Sequence, residues 1–141
     1  MAAVHRTTVR VRYAETDQMG VVYHANYVVY FEVGRTESMR ALGLDYAEME
    51  RNGMILAVVD VAARFVKPAK YDDLLTVETA LVSASAVRVR FEYRILRGAG
   101  AGEETLCTGS TTLACVNREG RPVRFQSPWL ERLLYLAGTA D

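Results

Sequence analysis

The sequence predicts an α+β fold: an antiparallel sheet wrapped around one long helix. Three features predict it. One segment, about Ala25 to Leu42, carries helical periodicity over several turns. Four long strand-like segments follow it with only short breaks. A single strand-like segment precedes it. The order β–α–β–β–β–β plus a terminal helix lacks the strand–helix alternation of a parallel sheet, so the strands pair with one another around the helix.

Each element has a local reason. Val9, Val11 and Tyr13 alternate with Arg10 and Arg12, which reads as the first strand. In the helix, Tyr27, Phe31, Gly34, Ser38 and Leu42 recur at spacings of three and four and share one face, flanked by Tyr30, Val33 and Glu37. Its polar residues lie mainly in the second half, so the first half is expected to be buried nearly all round. Gly34 in mid-helix costs about 1 kcal/mol relative to Ala. Close approach to the backbone of the sheet is the expected reason. Gly43 stands where a helix C-cap glycine belongs. Asp45 to Asn52 reads as a short second helix closed by Gly53.

Strands are expected at Ile55–Val66, Leu74–Val82, Ala86–Leu96 and Leu106–Val116. Lys67-Pro68-Ala69-Lys70 breaks the first, because proline has no N–H for the ladder. In the third, Val87, Val89, Phe91, Tyr93 and Ile95 oppose Arg88, Arg90, Glu92 and Arg94. Glycines 98, 100 and 102 make a flexible hairpin connection. Asn117 to Arg121 is a turn, and Val123 to Phe125 is a short edge segment. Ser127 as N-cap and Pro128 at N1 open a final helix through Leu136. There is no internal repeat or linker, and residues 1–141 form one domain. Long strands leave edges, and pairing edge to edge into a dimer is one way to cover them.

Composition excludes several classes. Half the residues are hydrophobic and the 17 basic residues balance 17 acidic ones, so neither a disordered chain nor a dedicated nucleic-acid binder is indicated. Fifteen of the basic residues are arginines; the lysines are Lys67 and Lys70. Cys107 and Cys115 stand on one strand, about 26 Å apart if extended. A disulfide needs Cα atoms within about 7 Å, so two buried free thiols and a reducing compartment are expected. The N-terminus has no signal-peptide core, and no apolar run approaches the ~20 residues of a membrane span. A cytoplasmic protein is expected.

The stretch Tyr13 to Tyr27, YAETDQMGVVYHANY, carries the chemistry. It places Asp17 in a Gly-containing loop that ends where the helix begins. The first N–H groups of a helix lack intrahelical partners and favour anions. One group can attack or direct water and the other can stabilise an oxyanion, which makes an acyl-transfer site without a catalytic serine or cysteine. Sequence offers no G-x-S-x-G elbow, no histidine near either cysteine, no zinc pattern and no Gly-rich phosphate loop. No metal and no redox cofactor is expected.

The motif D-x-x-G-V-V-Y-H-A-N-Y resembles that of the hotdog-fold acyl-CoA thioesterases of the 4-hydroxybenzoyl-CoA thioesterase and YbgC-like type. The stretch Phe65 to Asp73 is similar to this family's link between its second and third strands. The resemblance runs from Val9 to about Val116. It implies a sheet wrapped around a central helix, dimers paired through their sheets, tetramers as dimers of dimers, and a site at a subunit interface. It implies that Asp17 is the catalytic acid residue. It also implies that the backbone N–H at the His24 position, with Tyr23 adjacent, polarises the thioester carbonyl. Histidine at that position is typical of the YbgC-like branch, which is associated with acyl-CoA hydrolysis; the 4-hydroxybenzoyl enzyme carries tyrosine there.

Each candidate has two readings. Asp17 is an ordinary loop-former by itself; as catalyst it either attacks the thioester to form a mixed anhydride or acts as general base on water. N–H groups near Tyr23, His24 and Ala25 would form the oxyanion hole, and Gly20 would let the loop backbone come close. His24 is either a structural histidine at the helix start or a group that orients Asp17 or water, or assists thiolate departure. The other histidine, His5, is expected near a frayed terminus. Tyr13 either packs or donates to Asp17. Asn26 caps or braces the helix start, and Tyr27 shapes the acyl pocket. Arg88, Arg90 and Arg94 are either a solvated face or contacts for the phosphates of coenzyme A, with Lys67 and Lys70 as rivals. The motif shows no second well-placed carboxylate, and Asp60 in its apolar strand is the one odd acid. The leading function is acyl-CoA hydrolysis, with coenzyme A as part of the substrate and acyl carrier protein as the other conceivable carrier. A hotdog hydratase or dehydratase and a non-catalytic binding module are the alternatives.

Overall fold

The computed structural model describes residues 3–138. Five strands form one antiparallel sheet: β1 (Val4–Arg10), β2 (Ile55–Phe65), β3 (Leu74–Ala84), β4 (Arg88–Arg97) and β5 (Glu104–Val116), in the order β1-β3-β4-β5-β2. The long helix α1 (Ala25–Ala41) lies against the inner face of the sheet, packed on β1, β3 and β4. The short helix α2 (Tyr46–Arg51) follows, capped by the Asp45 side chain, and α3 (Trp129–Leu136) is the last element among the described residues. The expected α+β arrangement is the one found.

The alternation read from sequence sets the inner face. Val89, Phe91, Tyr93 and Ile95 of β4 are buried, as are Leu75, Val77, Thr79 and Leu81 of β3. Phe31 of α1 stacks on Tyr93 with ring centroids 4.5 Å apart. Beneath it, a Cβ on Gly109 would fall 2.5 Å from both the Phe31 ring and the Ala62 carbonyl, so β5 runs bare under the ring. Gly34 also sits at a close approach, but to side chains: an added Cβ would lie 2.5 Å from Thr79 Oγ1 and 2.6 Å from Val77 Cγ1. The expected backbone contact is thus a contact with two β3 side chains.

Several boundaries differ from expectation. The first strand lies earlier, at Val4–Arg10, because its antiparallel partner β3 only begins at Leu74, opposite Arg10. Beyond that point Val11 bonds the backbone of Asp72 and Asp73, and Tyr13–Glu15 folds into a 3₁₀ turn. His5 is consequently no frayed residue; it pairs with Thr79 in the sheet. Pro128 occupies the N-cap of α3 instead of N1, and Ser127 bonds the Glu131 side chain.

The largest difference concerns exposure. The first half of α1 is not buried all round, since Val28 and Val29 are open to solvent. Asp60 is exposed as well, so it is not the buried acid its neighbours suggest. Strand β2 is an edge strand whose Val58, Val59, Val61 and Phe65 are about half exposed.

Candidate active site

The loop between β1 and α1 is built by its own backbone. Asp17 N–H donates to the Val21 carbonyl at 2.8 Å and Gly20 N–H donates to the Asp17 carbonyl at 3.0 Å. The Asp17 carboxylate accepts from Met19 N–H at 2.9 Å through Oδ1. This is an Asx turn, and it holds the side chain in place. Gly20 has φ +79°, with nothing within 4 Å of an added Cβ. Its role is therefore the left-handed conformation, not the close approach expected.

A cleft of about 300 Å³ opens beside this loop, lined by Asp17, Val21, His24, Tyr27, Phe65 and Lys67, with Val22, Val66 and Pro68 completing it. Its far wall is the link from β2 to β3, joined to the loop by the pair Val21 and Lys70 and by Val22 N–H donating to Ala69 O at 2.9 Å. The Tyr27 hydroxyl accepts from Ala69 N–H at 3.1 Å, and burial pushes its acidity down. Tyr27 thereby pins the helix start to the link. Arg97 braces the same link, donating to Asp73 and Glu104 at 2.8 Å each and to the Pro68 carbonyl at 3.1 Å. Lys67 pairs with Glu104 at 3.0 Å.

The backbone N–H groups at the start of α1 divide in two. Tyr23 N–H donates to Glu15 O at 2.9 Å and is spoken for. Those of His24 and Ala25 have no partner among the described hydrogen bonds. Of the N–H groups expected near Tyr23, His24 and Ala25, only the last two are thus open among the described hydrogen bonds. His24 itself is exposed, tilted against Tyr23 at 4.4 Å and edge-on to Phe65 at 6.3 Å. It shares the cleft with Asp17 but makes no described hydrogen bond to it.

The structure gathers some expected site residues and separates others. Asp17, His24, Tyr27 and Lys67 meet in one cleft. Asn26 braces the loop, its Nδ2 donating to Glu15 O at 2.9 Å. Tyr13 is 77% exposed and packs edge-on against Tyr71, so it does not donate to Asp17. Arg88 and Arg90 lie on the outer face of the sheet, away from the cleft, where Arg90 pairs with Glu92 and Arg94 with Glu78. Among the described residues no group of three or more His, Cys, Asp or Glu could hold a metal ion.

One residue escaped the sequence reading. Glu15 is only 8% exposed. Its carboxylate accepts from Arg12 N–H at 2.9 Å, Arg12 Nε at 3.1 Å and the Tyr30 hydroxyl at 2.8 Å. Burial raises its pKa, but these donors outweigh burial and hold it below the usual value. The stretch Tyr13 to Tyr27 thus holds a second carboxylate, but it does not line the cleft, and no second carboxylate joins Asp17 there. The available signal was Tyr30, a polar-tipped residue flanking the buried helix face, which needs a partner when buried.

A family model described as the thioesterase-like superfamily matches residues 11–133. The chain belongs to that superfamily. Among its relatives, the acyl-CoA thioesterase YbgC of Haemophilus influenzae is 37% identical over 121 residues, covering 83% of this chain and 85% of its own. The acyl-CoA thioester hydrolase YbgC of Escherichia coli O6:H1 is 33% identical over 113 residues, covering 79% and 81%. The crystal structure of the DHNA-CoA thioesterase from Staphylococcus aureus superposes with a TM-score of 0.89 at 34% identity, covering 96% of this chain and 91% of that one. This thioesterase-superfamily chain is an enzyme, a thioester hydrolase on a hotdog fold.

Proposed function

We propose that this chain hydrolyses acyl-CoA thioesters to the free acid and coenzyme A, with Asp17 as the catalytic carboxylate. One observation carries the reading: a single cleft combines the Asp17 side chain with the start of α1, whose His24 and Ala25 N–H groups are open. The thioester carbonyl sits with its oxygen toward those N–H groups, which stabilise the negative charge that develops there. Asp17 Oδ1 is held by Met19 N–H. The carboxylate either takes a proton from the attacking water or itself attacks to give a mixed anhydride that water then opens. The carbon–sulfur bond breaks, and the coenzyme A thiolate takes up a proton, for which the His24 imidazole in the same cleft is the donor at hand. In this reading Lys67, which lines the cleft, meets the phosphates of coenzyme A, and Arg88 and Arg90, which do not line it, take no part.

The exposed apolar row on β2 and on the start of α1 fits a homodimer paired along β2, which would complete the open side of the cleft. Sedimentation equilibrium tests this, with Val61→Glu expected to shift the protein to monomer; an unchanged mass would refute pairing through β2.

The deciding experiment is thiol release from aliphatic, benzoyl and phenylacetyl-CoA, with an acyl carrier protein thioester alongside, using wild type and Asp17→Asn. Turnover by wild type that falls at least about a hundredfold in the variant supports the reading. Tight acyl-CoA binding without turnover would favour a binding module instead, and equal rates in both proteins would remove Asp17 from the mechanism.

A further inference from the structure

We infer that Glu15 is the positioning residue of this site, the anchor that fixes Asp17 and the open N–H groups relative to one another; the inference rests on the acyl-CoA hydrolysis reading above. Glu15 joins the loop to α1 at two levels. Its carbonyl oxygen receives Tyr23 N–H and Asn26 Nδ2, both at 2.9 Å, so it grips the helix from the residue before the N-cap to the second residue inside. Its carboxylate receives the Tyr30 hydroxyl at 2.8 Å, more than a turn further along α1. Two donors from Arg12 hold the same carboxylate from the strand side.

Asp17 lies two residues beyond this anchor, and His24 and Ala25 lie directly after the N–H it captures. Only one peptide link separates Glu15's partner Tyr23 from the first open N–H. By consuming the Tyr23 N–H, Glu15 also decides which donors remain for a substrate. A buried carboxylate with three donors is costly to place and strongly fixed once placed. Glu15 does not line the cleft, so it acts through its neighbours and not on the thioester.

The test compares wild type, Glu15→Gln and Tyr30→Phe, each also combined with Asp17→Asn. Glutamine keeps the shape but sets an NH₂ group or a neutral oxygen against the Arg12 donors. Misplacement of this order costs up to about a hundredfold in rate. Glu15→Gln should lower kcat by about ten- to a hundredfold, and Tyr30→Phe by about tenfold, with KM shifted less than about threefold. Amide exchange at Tyr23 should speed up in Glu15→Gln. In the Asp17→Asn background both penalties should vanish, because groups acting as a unit are not additive. Full retention of kcat in Tyr30→Phe and Glu15→Gln, or penalties that multiply in the Asp17→Asn background, would overturn the positioning role while leaving Asp17's own role standing. Wild-type turnover by Asp17→Asn alone would instead overturn the hydrolysis mechanism, and the inference with it. If Glu15→Gln does not fold, Tyr30→Phe retains the carboxylate and both Arg12 donors, and its kcat decides.

Discussion

Gly34→Ala should destabilise the protein although alanine is the better helix former. Replacing a mid-helix glycine by alanine normally gains about 1 kcal/mol. Here the new methyl would stand 2.5 Å from Thr79 Oγ1 and 2.6 Å from Val77 Cγ1, where ordinary contact begins near 3.4 Å. Neither neighbour can yield easily, since Val77 is fully buried and Thr79 nearly so, both in a strand paired on each side. Overpacking of this kind costs about 1–3 kcal/mol, and two clashes against a rigid sheet place it at the upper end. The net expectation is a loss of about 1–2 kcal/mol. Thr79 Oγ1 is buried and has no hydrogen-bond partner among the described residues, so Thr79→Ala removes one clashing atom and breaks no described hydrogen bond. The double variant should recover about 1 kcal/mol relative to additivity. Urea unfolding at one fixed protein concentration, followed by circular dichroism, reads all four corners of this cycle. Gly34→Ala as stable as wild type, or strict additivity with Thr79→Ala, would refute the close-packed seat of α1.

The remaining expectations concern charge and access. Because hydrogen bonds hold the Glu15 carboxyl below its usual value of 4.5, its contribution to stability is present above that pH and is lost as pH falls through the lower folded value. The stability gap between wild type and Glu15→Gln should therefore be wide at pH 7 and shrink under acid; a gap that stays constant to pH 2 would contradict it. Lys67→Glu should raise KM for acyl-CoA but not for acyl-pantetheine, whereas Arg88→Glu should change neither, and steady-state kinetics with both substrates separates the two. Cys107 is buried and its thiol is pushed up to about 11, so a disulfide reagent at pH 8 should label it only on unfolding; rapid native labelling would contradict its burial.

Sequence periodicity revealed most of the fold because burial on one face leaves a pattern. The alternation of Val89, Phe91, Tyr93 and Ile95 is a direct record of the inner face, and Tyr27, Phe31, Gly34 and Ser38 record the face of α1. The pattern misled where apolar residues are left uncovered in the single chain. Val28 and Val29 read as buried, yet they are exposed on α1, and Val58 and Val61 are exposed on the edge strand β2. Hydrophobicity reports that a residue seeks cover, not which chain supplies it. The motif likewise placed Asp17, His24 and Tyr27 together because they are close in sequence or carried by one helix. Arg97 and Glu15 were not legible. Arg97 reaches the cleft wall across 24 residues to Asp73, and Glu15's value depends on Tyr30, which comes within reach only once the loop folds back on α1.

The loop before α1 holds two carboxylates two residues apart, and their surroundings suit them to different work in the proposed mechanism. Glu15 has three donors on its oxygens, lies buried and faces away from the cleft. A carboxylate so saturated is a poor nucleophile and a poor base, because every bond it holds must be given up before it can act. Asp17 has a single described donor on its side chain, lies half-buried and lines the cleft. It keeps the lone pairs that attack or proton transfer requires. In the proposed mechanism this contrast lets one loop carry both a fixed anchor and a reactive group. The separation also explains why a loop serves better here than a helix or strand. On a helix these two positions would point to different sides, but neither could bring its own carbonyl to the start of another helix. The 3₁₀ turn at Tyr13–Glu15 leaves Glu15 O free to receive Tyr23 and Asn26, and the Asx turn at Asp17 then aims the second carboxylate into the cleft.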